Sequence, residues 1–499
     1  MDISDYKAGG YKQGYEYKYF LPSKINHAWL FSDPQVQSLL SEADRALGQL
    51  DAYSQSLPDV DYFISLHISK EATQSSRIEG TRTKIEEVFM GAQDIDPEKR
   101  DDWEEVQNYI VAINTAIKQL DVLPFSNRLL KDTHKTLMQG VRGENKSPGE
   151  FRTSQNWIGV SLKNAIFVPP SHDYVIDLMT DLEKFINEEG STPHLIKIAV
   201  AHYQFETIHP FLDGNGRLGR LMIALYLASF NQLHKPALYL SDYFERNKVE
   251  YVDRLMAVRL SSDMKGWLVF FFHGVLETSK NSIQVFKDVI ALKSKLDSDV
   301  LPYFSRRRQK GALELMRHLY QSPVVTIKEV AELLSIQLNT AAALIKDLEK
   351  YGVLVRLAAK KRSQLFGFSE YMAIFDRQIG VNEYEAKAST WEDTREDTRE
   401  DTREDTREDN IEFSLKRIQA MDWKIKELVS GFNGVLSRAE VQIMLELKDA
   451  EHVRQQYILP ALNMGIIEMT LPDKPSSKLQ KYRLTNFGVS LQKQIGCYS

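Results

Sequence analysis

The stretch "TIHPFLDGNGRLGR", residues 207–220, decides how this 499-residue chain is read. It joins two apolar helical patterns, "HLIKIAVAHYQFETI" before it and "RLGRLMIALYLASF" after it. Gly214-Asn215-Gly216 therefore opens a helix, where backbone N–H groups lack intrahelical partners and the dipole favours an anion. Arg217 and Arg220 are three apart and share one face of the first turns. Two guanidinium groups oppose the macrodipole there, which makes sense if a polyphosphate supplies the negative charge. Asp213 is placed to hold Mg²⁺, a hard cation that takes carboxylate and phosphate oxygens together. His209 is then available as a base beside the phosphates. A bare Asp-Gly-Asn-Gly would be read as a turn between helices; His209, Phe211, Asp213 and both arginines at fixed offsets favour an active site.

Other phosphate and metal chemistries lack their residues. No G-x-x-x-x-G-K-[ST] run exists, no strand precedes the glycines, and there is no H-E-x-x-H. His202 and His209 share a helix face but have no third soft ligand nearby, so a catalytic zinc is not expected. The lone cysteine, Cys497, excludes a disulfide framework. A net charge of −6 excludes a polybasic nucleic-acid binder as a whole. With 43% hydrophobic and 26% charged residues, no apolar run long enough for a bilayer and no signal-peptide core, a cytoplasmic protein without membrane contact is the expectation.

Length implies roughly three domains. Residues 1–100 read as an N-terminal helical domain, with Val36, Leu39, Leu40, Ala43 and Leu47 at helical spacing and a further helix over about 68–80. Residues 101–300 form the helical core. Within it two short apolar runs over 157–168, closed by Pro169-Pro170, predict a β-hairpin that includes Trp157, Ile158, Gly159 and Val160. Residues 308–375 read as a winged helix-turn-helix. Its capping box is Thr326 with Glu329, its second helix runs from Asn339 to Lys350, and Lys360, Lys361 and Arg362 form a basic turn. Four "DTRE" repeats from Asp393 to Glu408 make 385–410 a charged linker, and 411–499 repeats the winged-helix outline. The fold class expected is mainly α, with one small hairpin in the core and winged helices after it.

"HPFLDGNGRLGR" matches H-x-F-x-[DE]-G-N-G-R-x-x-R throughout, and on it the chain resembles the Fic-domain protein adenylyltransferases. The resemblance covers roughly residues 20–370. It implies an all-helical Fic core with the hairpin as its target-docking flap, and transfer of AMP from ATP to a Ser, Thr or Tyr hydroxyl of a target protein. By position, His209 would deprotonate that hydroxyl and Phe211 would anchor the loop. Asp213 would bind Mg²⁺, and Gly214, Asn215, Gly216, Arg217, Leu218, Gly219 and Arg220 would surround the phosphates. Glu245 would accept from the adenine amino group and Tyr251 would stack on the base. "SSRIEG" is similar to the family's inhibitory motif [ST]-x-x-x-E-[GN], with Ser75, Glu79 and Gly80 on the end of a helix. The resemblance implies that Glu79 competes with the γ-phosphate for Arg220, since one guanidinium fork cannot hold both. In some relatives the same glutamate assists removal of AMP. Self-modification and a homodimer are compatible with this reading. The rival is a nucleotide-sensing regulator that binds DNA through the winged helices, although Asp347 and Glu349 beside Lys346 and Lys350 weaken a phosphate-contacting helix.

Overall fold

The structure is a computed structural model. It describes residues 2–15, 17–56, 60–140, 146–159, 161–190, 192–357 and 364–376, then 423–432, 434–445, 447, 453–458, 461–462, 466–470, 480–485 and 492. Val160, the basic turn at Lys360-Lys361-Arg362, the DTRE tract and Cys497 lie outside the described residues. The chain divides into two units, Met1–Ile379 and Gly380–Ser499.

The first unit is mainly helical. A two-stranded antiparallel hairpin, β1 (Gly9–Gln13) with β2 (Lys18–Pro22), precedes α1 (Pro34–Ser56), α2 (Val60–Ile78), the single turn α3 (Ile85–Val88), α4 (Arg100–Gln119) and α5 (Asn127–Leu137). A second hairpin follows, β3 (Ile158–Gly159) with β4 (Ala165–Phe167), and then α6 (Val175–Asn187), α7 (His194–Ile208), α8 (Asn215–Ser229), α9 (Ser241–Arg246), α10 (Lys248–Ser261) and the long α11 (Met264–Asp299). The expected hairpin within 157–168 is thus present. The N-terminal hairpin was not anticipated, although the Tyr and Lys alternation of "YKQGYEYKYF" carried its period-2 signal. Phe20 N on β2 donates to Val168 O at 2.9 Å, so the two hairpins abut.

α7 is the axis of this unit. Every residue from Leu195 to Ile208 is buried, which accounts for its apolar character on all sides. α6, α8 and α11 pack against it, and Trp267 Nε1 of α11 donates to Ala199 O at 2.9 Å. α1 lies along α11, burying Val36, Ala43 and Leu47. α2 packs against α4 and α9, so its C-terminal end is brought to the start of α8. That helix ends at Ile78, two residues short of the expected Gly80. Glu79 and Gly80 form a turn instead, with Gly80 at φ +107° and Thr81 N donating to Ser76 O at 3.2 Å.

Still in the first unit, α12 (Arg306–Gln321), β5 (Val324–Thr326), α13 (Ile327–Leu333), α14 (Leu338–Lys350), β6 (Val355–Arg356), β7 (Leu365–Gly367) and α15 (Ser369–Asp376) follow. Thr326 Oγ1 accepts from Glu329 N and the Glu329 carboxylate from Thr326 N, which starts α13. Besides the two expected strands, β5 adds a third, and the sheet order is β5-β7-β6. The second unit contains α16 (Trp423–Gly431), β8 (Val435–Ser437), α17 (Arg438–Met444), β9 (Ile467–Met469) and β10 (Lys481–Leu484) around its own apolar cluster. Its sheet order is β8-β10-β9. Among the described residues no helix is long and apolar enough to cross a membrane.

Candidate active site

α7 stops because residue 210 is proline, which has no N–H to continue the ladder. His209 caps the helix in the left-handed region, φ +50° and ψ 62°, a conformation that costs a non-glycine residue about 1 kcal/mol or more and must be held by its surroundings. The holders are Arg152 and Asn156. Arg152 Nε donates to His209 O at 2.9 Å, its Nη2 to Pro170 O at 2.5 Å and to Ile208 O at 3.3 Å, and its own N–H to Pro210 O at 2.9 Å. Asn156 Nδ2 donates to His209 O at 3.2 Å and Phe211 O at 2.9 Å. Neither residue was singled out in the sequence.

The rest of the loop is braced from within. Asn215 Oδ1 accepts from Phe211 N and its Nδ2 donates to Phe211 O, both at 2.8 Å. The side chain of this motif asparagine is therefore a buried cross-brace within the loop. Phe211 is fully buried and stacks on His134 with centroids 3.8 Å apart. Gly149 N donates to His134 Nδ1 at 2.8 Å, so Nε2 carries the proton and donates to Asp213 O at 3.0 Å. Burial depresses the His134 imidazole to about 4, which keeps it neutral in this role. Gly214 opens α8 at φ +73°, where a Cβ would lie 2.6 Å from Met138 Sδ. Only glycine satisfies both the backbone angle and that approach.

The charged groups converge on the first turns of α8. Arg220 Nε donates to Ser75 Oγ at 2.9 Å, and its Nη2 donates to Ser75 O at 2.9 Å and Glu79 Oε1 at 2.7 Å. The Glu79 carboxylate lies over Gly216, where a Cβ would come within 2.2 Å of Oε1. Desolvation of its carboxylate end, which sits against Gly216 and Arg220 although much of the side chain stays exposed, acts to raise the Glu79 carboxyl, but the Arg220 guanidinium outweighs it and holds the group below its ordinary value. Burial likewise acts to lower Arg220, and Glu79 first among its neighbours reverses this and raises it. Lys248 Nζ donates to Ile78 O at 2.5 Å and satisfies a carbonyl at the end of α2. Arg217 is also paired: Nη1 donates to Glu105 Oε2 of α4 at 3.0 Å, an acid that the sequence reading missed.

His209 keeps 18% of its side chain exposed. Burial, with the positive charges of Arg259 and Arg152, depresses its imidazole to about 4. At neutral pH it is uncharged and holds a lone pair, the state a base requires. Its Nδ1 is buried beside the Glu206 backbone carbonyl, with no hydrogen bond of good geometry, so Nε2 is the nitrogen left for a substrate. Asp213 is exposed, and its Oδ1 accepts from Gly214 N at 2.6 Å. Among the described residues no cluster of three acidic, histidine or cysteine side chains is arranged to hold a metal. One exposed carboxylate beside an anion site still fits Mg²⁺, which commonly takes one or two carboxylates plus phosphate oxygens.

Two adenine assignments fare differently. Tyr251 is only 4% exposed, its ring stacked on Phe244 with centroids 4.5 Å apart and its hydroxyl 2.8 Å from His202 Nε2. It belongs to the aromatic core with Trp267 and Phe270, and its ring face is not free for a base. The role that the resemblance implied for Tyr251 is not met, because packing within the aromatic core covers its ring. Glu245 sits half-buried on α9. Of the flap, Trp157 and Ile166 are exposed, at 42% and 67%.

A half-buried histidine cap, a glycine-opened helix and two sequestered arginines form the kind of anion loop that the resemblance implies, and the family comparisons agree. Residues 124–227 match the Fic/DOC family and residues 37–118 the Fic/DOC family N-terminal region. The chain carries a Fic domain preceded by that region. Residues 424–485 match the C-terminal domain of filamentation induced by cAMP protein Fic-like proteins. Protein adenylyltransferase fic-1 of Caenorhabditis elegans is 35% identical over 81 residues, covering 16% of this chain and 15% of that protein. Protein adenylyltransferase Fic of Drosophila melanogaster is 40% identical over 77 residues, covering 15% of this chain and 14% of that protein. Each match thus spans a small part of either chain. A Fic family protein from Desulfovibrio desulfuricans G20 is structurally similar at a TM-score of 0.42 and 17% identity, over 93% of this chain and 99% of the other.

Proposed function

We propose that this protein is an adenylyltransferase that moves AMP from ATP to a Ser, Thr or Tyr hydroxyl of a protein, with Glu79 as its built-in inhibitor. The observation that carries the reading is the 2.7 Å pair between Glu79 and Arg220 at the mouth of α8, beside a neutral His209. A carboxylate there occupies the place where a helix N-terminus and a guanidinium favour a phosphate.

In this mechanism the backbone at Gly214–Gly216 and the side chains of Arg217 and Arg220 receive the phosphate chain. Arg217 shares its guanidinium with Glu105, and Arg220 must exchange Glu79 for the γ-phosphate. Asp213 would hold Mg²⁺, which supplies charge neutralisation between phosphates when bound. His209 Nε2 takes the proton as the target oxygen attacks the α-phosphorus in line. The bond from the α-phosphorus to the bridging oxygen breaks, and pyrophosphate leaves. Catalysis by this chain is mainly positioning and charge stabilisation. The exposed hairpin edge around Trp157 suits a target strand added by β-augmentation. A requirement for ATP and a protein hydroxyl agrees with a cytoplasmic setting. Removal of AMP by the same Glu79 stays within the reading. Residues 306–376 and the second unit serve in it as winged-helix modules for protein contact. The DNA-regulator alternative is not favoured, because α14 carries Asp347 and Glu349 beside Lys346 and Lys350 and so presents no net positive face to a phosphate backbone.

The test is auto-modification with α-labelled ATP and Mg²⁺. Label is expected on Glu79→Gly, much less on the native chain and none on His209→Ala. Equal labelling of all three would overturn the mechanism.

A further inference from the structure

Glu206 stands three residues before His209 on α7, and nothing in the mechanism above uses it. The residue is 6% exposed and its Oε1 is buried without a hydrogen-bond partner. His209 Nδ1 lies 3.9 Å from Glu206 Oε2; it is buried and close to the Glu206 backbone carbonyl, but makes no hydrogen bond of good geometry. Two such groups facing each other call for an explanation, since buried polar atoms are rarely left unpaired. The space for the carboxyl is made by a glycine. A Cβ on Gly219 of α8 would come within 2.3 Å of Glu206 Oε1. This gives a purpose to a motif position that contacts no phosphate by its side chain. The other charged and titratable groups facing Glu206 are Arg220 on α8, Arg259 on α10, Tyr251 and, at the end of α2, Glu79.

We propose, on the adenylyltransferase reading, that Glu206 is a positioning residue for His209. Its carboxylate takes the Nδ1–H of His209, which fixes the tautomer with the lone pair on Nε2 and stabilises the imidazolium formed when the target hydroxyl gives up its proton. A movement of under 1.5 Å, an order-of-magnitude figure from hydrogen-bond geometry, closes the 3.9 Å gap to bonding distance. No proton leaves the pair: it moves from the hydroxyl to Nε2, while Nδ1–H stays on the ring. The arrangement also ties the base to the inhibitor. Burial raises the Glu206 carboxyl to about 7, Arg220 lowers it and the nearby Glu79 raises it. Withdrawal of Glu79 therefore favours the ionised Glu206 that this role needs.

The test uses the full chain. In ¹⁵N-histidine NMR, assigned by loss of the His209→Ala signal, His209 is expected as the Nδ1–H tautomer. Glu206→Gln should lower its pKa and shift the tautomer toward Nε2–H, because the amide can donate to Nδ1. In a Glu79→Gly background, Glu206→Gln should slow auto-labelling on the order of 10- to 100-fold at an unchanged KM for ATP. The rise of rate with pH through the Glu206 titration should be lost, while Glu206→Asp restores part of it. Gly219→Ala, which fills the carboxyl's space, should reproduce the tautomer shift. A native tautomer and pKa in Glu206→Gln, or labelling within twofold of its parent, would overturn the proposal. If Glu79→Gly itself takes no label, the transferase reading fails and the NMR result still decides the role of Glu206.

Discussion

The loop from His209 to Arg220 and the end of α2 from Ser75 to Gly80 meet across one 2.7 Å ion pair, and they are held in different ways. The loop is fastened at each step. Arg152 and Asn156 clamp its carbonyls, Asn215 braces Phe211, and the Arg220 side chain is 2% exposed. Glu79 keeps 42% of its side chain exposed and lies in a turn past the last helical residue. An ion pair with one buried and one exposed partner separates in one direction only: the guanidinium stays and the carboxylate departs into water. Desolvation makes removal of Arg220 from its site costly, whereas Glu79 regains hydration as it leaves. On the proposed inhibitory reading, this asymmetry suits a receptor with a detachable occupant.

Acid should separate the two regions most strongly. His67 and His202 are depressed to about 3 and His134 and His209 to about 4, each chiefly by burial. The unfolded chain binds protons at about 6.5 where the fold does not, so stability is lost as pH falls below that value, each imidazole contributing on the order of a few kcal/mol. Glu206, raised to about 7, works in the opposite sense, since its contribution is lost as pH rises through that value. Glu79, held below its ordinary range, keeps its charge while the histidines titrate. Denaturant midpoints from pH 7 to 4 should therefore fall before the ion pair protonates; a flat profile would break the comparison.

Phe211→Ala should come next. Removing a fully buried ring stacked on His134 is expected to destabilise the first unit by about 3–5 kcal/mol, read from denaturant unfolding. The smallest effect is expected from Ser75→Ala. It leaves Arg220 Nε without its acceptor and should cost about 1–2 kcal/mol. Its basal labelling should rise, by less than in Glu79→Gly, because the carboxylate remains. A larger rise than in Glu79→Gly would place the restraint in Ser75.

Much of the loop was legible because its signals are local. Pro210 ends one helix and Gly214 opens the next within six residues, and the offsets of His209, Asp213, Arg217 and Arg220 follow from helical geometry. Tyr251 shows the limit of such reading. A tyrosine at the right offset says nothing about which faces of its ring are covered, and Phe244 covers one. The N-terminal hairpin was missed because its two strands, exposed along β1, are secured by contact with the flap.

By itself the sequence determined the order of helices and the position of the anion loop through spacing within a turn or two, whereas the inhibitory reading of Glu79 came from the resemblance of "SSRIEG" to a family motif. The tertiary structure decided what holds those residues in place. Arg152 reaches His209 across 57 residues, Glu105 reaches Arg217 across 112, and Glu79 reaches Arg220 across 141. Glu206 is close to His209 in sequence, yet only the packing of α8, through Gly219, gives its carboxyl room to face the ring. Periodicity reports which face of a helix is buried; it carries no information about which distant charge will meet it there, because that depends on how whole helices pack.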